Sequence, residues 1–111
     1  MKPITDAVQL SDFLSTAPAP IIIKFEARWC QPCKAMTPIL EEVEKELDGK
    51  VMVYSANVEH CSNLAQRFKI NQIPALVAID NGMVTAVKTG AAKKSDILSW
   101  IELALPSLQK S

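Results

Sequence analysis

Apolar residues in this chain occur in two kinds of run, and these predict strands and helices in alternation. Residues 21–27 form a β-branched run of the kind expected for a strand that is covered on both faces. After residue 33 the apolar positions recur at helical spacing, with acidic side chains between them; they are Met36, Leu40, Val43 and Leu47. Pro38 lies inside this helix, where it costs a hydrogen bond and bends the axis, and Gly49 is a good C-terminal cap. The pattern predicts a buried strand that leads into a long amphipathic helix.

The rest of the chain continues the alternation. Ile4 indicates a short first strand, and Asp6 followed by Gln9 has the spacing of a capping box at a helix start. The prolines within residues 15–20 end that helix. Asn81 and Gly82 tolerate positive φ and favour a hairpin turn. Further strands are expected at 51–56, 76–79 and 84–89, and further helices at about 62–69 and 95–105. The order β-α-β-α-β-α-β-β-α predicts an α/β fold with a mixed sheet between helices.

Composition narrows the class of protein. The 111 residues should form one domain with a core of its own. Lys plus Arg equals Asp plus Glu at 12 each, so no overall field points to nucleic acid or to anionic lipid. No apolar run approaches the roughly 20 residues needed to cross a bilayer, and the first residues lack the apolar region of a signal peptide. Three cysteines, an odd number, suit a reducing compartment. We therefore expect a cytoplasmic protein without nucleic-acid or membrane partners.

Cys30 and Cys33 are the strongest candidates for chemistry. Separated by two residues, they lie where the predicted buried strand gives way to the long helix. A C-x-x-C at such a junction is typical of a redox pair that closes into a disulfide and opens into a dithiol. A structural pair is the alternative. His60 and Cys61 would complete a formal Cys₃His set for zinc, but adjacent His-Cys ligands are an unusual spacing, so we expect no metal.

With these residues in view, the chain resembles the thioredoxin family from about residue 4 to residue 105. The residues that carry the resemblance are Trp29, Cys30, Pro32, Cys33, Lys34, Pro38, Ile73, Pro74, Asn81, Gly82 and Gly90. The resemblance implies a single thioredoxin domain over residues 1–111, with a mixed sheet of about five strands flanked by about four helices. It also implies a monomeric protein-disulfide reductase that serves electron transport and cell redox homeostasis without a bound cofactor. Its partners would be disulfide-containing client proteins and a thioredoxin reductase, either a flavoprotein or a ferredoxin-dependent enzyme.

The resemblance gives the two cysteines different roles. Cys30 would be the attacking thiol, because the start of a helix favours thiolate over thiol. Cys33, one helical turn later, would be the less exposed resolving thiol. Pro32 and Lys34 belong to the family motif around the pair, where they would tune its redox behaviour. Gln31 replaces the glycine that the family usually has between the cysteines, which could alter the redox potential or the choice of partner.

The resemblance also predicts a surface for binding clients. Ile73 and Pro74 resemble the family's cis-proline loop, whose backbone at Ile73 would hydrogen-bond an extended client segment in the manner of strand addition. An ordinary trans turn is the alternative. Trp29, Gly90 and Ala91 would line a flat apolar docking surface, although Trp29 as a plain core residue remains open.

The main departure from the family is Lys24, which stands where thioredoxins usually have a buried aspartate. Burial could favour a neutral amine that acts as a base, or the lysine could stay charged and stabilise the Cys33 thiolate. The second outcome would favour the reduced form and make the protein a weaker reductant. Glu26, where the family usually has an aromatic residue, lies on the same side of the strand, so we expect the two to pair. The alternative is that Lys24 extends to solvent and has no catalytic role.

Cys61 and the three departures from the family each allow more than one interpretation. Cys61 could be a reactive regulatory thiol beside His60, or a small buried apolar residue, and the second reading is the commoner one. The departures at Lys24, Glu26 and Gln31 also allow an atypical thioredoxin with a narrow range of clients or a more oxidising, isomerase-like role. A non-catalytic binding subunit of a larger complex is a third alternative.

Overall fold

A computed structural model of the chain describes residues 1–5, 7–16 and 19–109. The elements are β1 Lys2–Ile4, α1 Ala7–Thr16, β2 Ile21–Glu26, α2 Gln31–Leu47, β3 Met52–Asn57, α3 Ser62–Arg67, β4 Ala75–Asp80, β5 Met83–Thr89 and α4 Lys94–Ala104. This is the predicted order of strands and helices, followed by a short 3₁₀ helix, Pro106–Gln109, that the pattern did not indicate. The predicted cap at Asp6 and the break at Ala17 and Pro18 lie outside the described residues.

Helix ends are where prediction and structure differ. The helix expected over 62–69 ends at Arg67, and Lys69 has a φ of 58°, a left-handed conformation that cannot continue an α-helix. At the end of α2, the C-cap is Asp48, with a φ of 43°, and Gly49 follows with a φ of 82°. The Asp48 N–H donates to the carbonyl oxygens of Glu44 and Lys45, both at 3.2 Å. Two consecutive left-handed residues therefore end α2, where the sequence had indicated the glycine as the cap.

The sheet is mixed, as predicted. Its strand order is β1-β3-β2-β4-β5, with β2 parallel to β3 and antiparallel to β4. Strand β2 thus lies at the centre, and all of its residues except Glu26 are buried. At the β4–β5 turn, Asn81 and Gly82 have φ values of 53° and 78°, the positive values that a tight hairpin requires.

Alternate residues of β2 face two separate apolar cores. Ile23 and Phe25 pack with Leu10 of α1 and Leu64 of α3. Ile22 packs on the other side of the sheet with side chains of α2 and α4, namely Met36, Leu40, Val43, Ile97 and Ile101. By the same alternation, Lys24 lies on the side of α2 and α4. Among the described residues, no helix is both long enough and apolar enough to cross a membrane.

Candidate active site

The two cysteines predicted as a redox pair lie together at the start of α2. Cys30 is the N-cap of the helix, and its Sγ accepts a hydrogen bond of 3.2 Å from the backbone N–H of Cys33. The two residues are joined by a disulfide, with their Cα atoms 5.3 Å apart, within the usual range for such a bond. Pro32 lies in the first turn, where a missing N–H costs nothing. The sequence C-Q-P-C therefore builds a helix start that has a sulfur atom as its cap.

This position makes the two sulfur atoms different. The Cys30 sulfur lies at the helix N-terminus, where unpaired N–H groups and the helix dipole favour negative charge. Cys33 lies inside the first turn and is 1% exposed, against 5% for Cys30. Both cysteines pack with Ala27, Val58 and Ile73. The helix start thus favours a thiolate at Cys30, which is also the slightly more exposed of the two cysteines.

The face beside the disulfide carries the residues predicted for client binding. The Ile73–Pro74 peptide bond is cis, so the alternative of an ordinary trans turn is wrong. Gly90 has a φ of 90°, and its N–H donates to the Pro74 carbonyl oxygen at 2.8 Å. This bond holds Gly90 beside the proline loop, with Ala91 exposed next to it.

Trp29 is 67% exposed, so the alternative that it is a core residue is wrong. Its ring lines a shallow groove of about 220 Å³ together with Val58, Ile70 and Ile73. An exposed tryptophan beside a mostly apolar groove is a usual anchor for a bound segment. The sequence had indicated Trp29 and Ile73, while Val58 and Ile70 gave no signal, because only the fold brings them to this groove.

Lys24 is fully buried, and its side chain is 0% exposed, so the alternative that it extends to solvent is wrong. Its Nζ lies 2.6 Å from Glu26 Oε1 and donates to Thr37 Oγ1, also at 2.6 Å. Thr37 Oγ1 in turn donates to the Cys33 carbonyl oxygen at 3.4 Å. The expected pairing of Lys24 with Glu26 is therefore present, and Thr37 connects it to the first turn of α2.

The contact of Thr37 with Lys24 was not predicted, although one feature of the sequence indicates it. Thr37 lies four residues after Cys33 on α2, and the strand residue opposite that turn is a lysine that needs partners in an apolar core. Nothing in the sequence indicates Asn57, which reaches the site from the end of β3. Of the other motif residues, Gln31, Pro32 and Lys34 are exposed at the start of α2.

A cleft of about 570 Å³ lies beside Cys33. Residues that line it include Glu26, Arg28, Trp29, Cys33, Lys34 and Thr37. The Glu26 side chain is 30% exposed, whereas its partner Lys24 is completely enclosed. The cleft thus leads from Cys33 and from the Glu26 end of the buried ion pair to the surrounding solvent.

Cys61 lies apart from this site. It is the N-cap residue of α3, and its Sγ lies 3.1 Å from the Ile4 carbonyl oxygen, in a core cluster with Leu64 and Ala65. His60 beside it is exposed. This environment is that of a small buried apolar residue. Within the described ranges, no group of three or more His, Cys, Asp or Glu side chains is arranged to hold a metal ion.

Comparison with known proteins gives a consistent picture. The thioredoxin family model matches residues 4–103. The chain is 37% identical over 86 residues to the thioredoxin of Rickettsia felis, covering 78% of this chain and 82% of that protein. It is 40% identical over 86 residues to thioredoxin C-2 of Corynebacterium nephridii, covering 78% and 80%. Among solved structures, Plasmodium falciparum thioredoxin superposes with a TM-score of 0.84 at 26% identity, covering 93% of this chain and 98% of that one.

Proposed function

Since the chain belongs to the thioredoxin family of thiol–disulfide oxidoreductases, we propose that Cys30 is the nucleophile and Cys33 the resolving thiol of its reaction. Protein-disulfide reduction is the activity of this family, and the Cys30–Cys33 pair stands at disulfide distance. The observation that carries the assignment of roles is the N-cap position of Cys30, whose sulfur accepts the Cys33 N–H.

The reaction proceeds by two exchanges. The Cys30 thiolate attacks one sulfur of a client disulfide, forming a mixed disulfide and releasing the other client sulfur as a thiolate, which takes up a proton. Cys33 then loses its proton and attacks the Cys30 sulfur, so the Cys30–Cys33 disulfide forms and the second client sulfur leaves. Two electrons pass from the dithiol to the client. A second dithiol must reduce the pair again before the next turnover.

Client binding involves the face that carries Trp29 and the proline loop. An extended client segment pairs with the backbone at Ile73, and its side chains contact Trp29, Gly90 and Ala91. The exposed tryptophan and the apolar groove beside it support this assignment. Main-chain pairing is insensitive to sequence, which suits an enzyme whose substrates share a disulfide and little else.

The proposed partners follow from the chemistry. The clients are proteins with an accessible disulfide, and the electron donor is a thioredoxin reductase, either a flavoprotein or a ferredoxin-dependent enzyme. The reaction at the two sulfur atoms requires no bound cofactor. We further propose that the protein acts as a monomer in the cytoplasm, where reducing conditions keep the pair in its dithiol form.

The assignment is tested by the reduction of insulin with dithiothreitol. The turbidity of the released insulin chain reports the rate of that reaction. The unmodified protein should accelerate the reaction, and Cys30→Ser should abolish the acceleration because the attacking sulfur is gone. Cys61→Ala is the matched control, since Cys61 lies in the core outside the pair. Equal turbidity rates for the unmodified protein and Cys30→Ser would refute the proposal.

The buried Lys24–Glu26 pair favours a second candidate, an atypical thioredoxin that is more oxidising or has few clients. A cation near the two cysteines would stabilise their thiolates and therefore the reduced form of the protein. This raises the redox potential of the Cys30–Cys33 disulfide. Equilibration with glutathione buffers measures that potential, and the rate of reduction by a general thioredoxin reductase shows whether the protein accepts electrons from the usual donor. A potential like that of ordinary thioredoxins together with efficient coupling would exclude this candidate.

A further inference from the structure

The step in which Cys33 resolves the mixed disulfide needs a group that takes the Cys33 proton. Of the described side chains that line the cleft at Cys33, only Glu26 carries a carboxylate. Arg28 and Lys34 are cations, and Thr37 and Asn57 are not basic. Cys33 lies inside the first turn of α2 and has almost no direct solvent contact. A proton acceptor that reaches this sulfur must therefore act through the cleft.

The geometry points to Glu26 as the catalytic base for Cys33, with Lys24 as the positioning residue that holds the carboxylate in the cleft. This inference rests on the proposed function, because it assigns a role in the second exchange. Proton transfer occurs directly or through one water molecule, which a cleft of about 570 Å³ accommodates.

The charges support this assignment. Lys24 lies in an apolar core, where a lone ammonium would be very unfavourable, and Glu26 compensates it at 2.6 Å. When the Cys33 proton moves to Glu26, the carboxylate becomes neutral and the sulfur becomes an anion. The negative charge moves from one group lining the cleft to another, so the net charge around the cleft is the same before and after the transfer. Thr37 joins Lys24 to the turn that carries Cys33 and keeps the three groups together.

The difference in solvent exposure between Glu26 and Lys24 explains why the carboxylate, and not the amine, exchanges protons with Cys33 and with solvent. Lys24 is fully enclosed and has no contact with solvent, whereas the Glu26 side chain is 30% exposed. After Cys33 attacks the Cys30 sulfur, the departing client thiolate needs a proton. Glu26 returns its proton through the open cleft, either to that thiolate or to water. Protons and electrons then balance over the cycle, and the Lys24–Glu26 pair is restored.

A two-phase reaction separates the exchanges. Reduced protein is mixed with dithiobis-nitrobenzoate, a disulfide whose thiol product is coloured, in a stopped-flow instrument. Attack by Cys30 releases the first coloured thiolate, and attack by Cys33 on the resulting mixed disulfide releases the second. All proteins carry Cys61→Ala, so that only the two active thiols report. Glu26→Gln should slow the second phase about tenfold to a hundredfold, the scale of general base catalysis, and leave the first phase unchanged.

The controls are Glu41→Gln and Lys45→Met, which alter exposed residues on α2. A second phase in Glu26→Gln equal to that in Glu41→Gln would overturn the inference, as would equal slowing of both phases. If Glu26→Gln does not fold, Lys24→Met/Glu26→Met removes both charges together, which buried pairs usually tolerate. That variant should show the same selective slowing, and a second phase at the unmodified rate would overturn the inference. If the parent protein, which carries only Cys61→Ala, releases no second thiolate, the proposed function fails instead.

Discussion

At the scale of single residues, the buried ion pair is the least usual feature of this protein. Lys24 has two described partners, Glu26 and Thr37, and lies in a core that is otherwise apolar. Period-two geometry was enough to predict that Lys24 and Glu26 share a side of β2. It could not indicate Thr37, because that contact depends on how α2 packs across the strand.

Removing one charge should cost much more than removing both. Glu26→Ala leaves the Lys24 ammonium uncompensated, and we expect the free energy of unfolding to fall by about 2–3 kcal/mol. This is below the ~3–5 kcal/mol of fully buried pairs, because the Glu26 side chain is 30% exposed. Lys24→Met/Glu26→Met should be near the unmodified stability. Urea unfolding of the three oxidised proteins measures the difference, and similar losses in both variants would contradict the prediction.

At the scale of elements, α2 combines two tasks along one axis. Its first turn holds the disulfide, and its body packs on the sheet through Leu40 and Val43, which are fully buried. The position of Cys30 therefore depends on apolar contacts two and more turns away. The sequence predicted this helix and its buried side well, because the spacing of apolar residues is regular over its length.

A cavity under α2 should destabilise the fold. Leu40→Ala removes side-chain volume from a fully buried position, and we expect a loss of about 2–5 kcal/mol in the free energy of unfolding. Leu103→Ala is the matched control, because Leu103 on α4 is 82% exposed and should change stability by no more than about 0.5 kcal/mol. Guanidinium unfolding of both variants checks this. Equal losses would mean that α2 is not anchored through Leu40.

The β4–β5 hairpin gives a prediction about backbone conformation alone. Gly82 has a φ of 78°, and a Cβ placed there would meet no atom within 4 Å. Gly82→Ala should therefore cost about 1–2 kcal/mol purely from the left-handed conformation. Gly82→Asn should cost less, since asparagine tolerates this region better. Thermal unfolding of the two variants compares them, and an asparagine variant as unstable as the alanine variant would speak against this explanation.

At the scale of the whole molecule, the sequence predicted more of the framework than of the site. The alternation of apolar runs was sufficient for the element order, the mixed sheet and the hairpin. The helix ends near Lys69 and Asp48 were not predicted correctly. Both residues have a positive φ, and the sequence pattern indicates that conformation only where the residue is glycine or asparagine. Contacts between distant elements, such as Val58 and Ile70 at the groove beside Trp29, emerge only from the three-dimensional arrangement.

Stability at high pH should report on the burial of Tyr54 in the core shared by β3, α1 and α3. Burial, and then the negative charge of Glu44, raise the pKa of Tyr54 above its ordinary 10.0. In the unfolded chain this phenol ionises near pH 10.0, while the folded protein keeps its proton, so the folded state binds more protons and loses stability as pH rises. Relative to Tyr54→Phe, the unmodified protein should therefore become less stable above that pH. Urea unfolding at several alkaline pH values tests this, and a constant difference between the two proteins would contradict it.

The enclosure of Lys24 also limits the order in which this ion pair can arise by single substitutions. A glutamate placed first at position 26 remains partly solvated, because that site is open to the cleft. A lysine placed first at position 24 would be an enclosed ammonium without a counter-charge and would destabilise the whole fold. The route through glutamate at position 26 is therefore the accessible one, and the same asymmetry makes Lys24 hard to retain once Glu26 is lost.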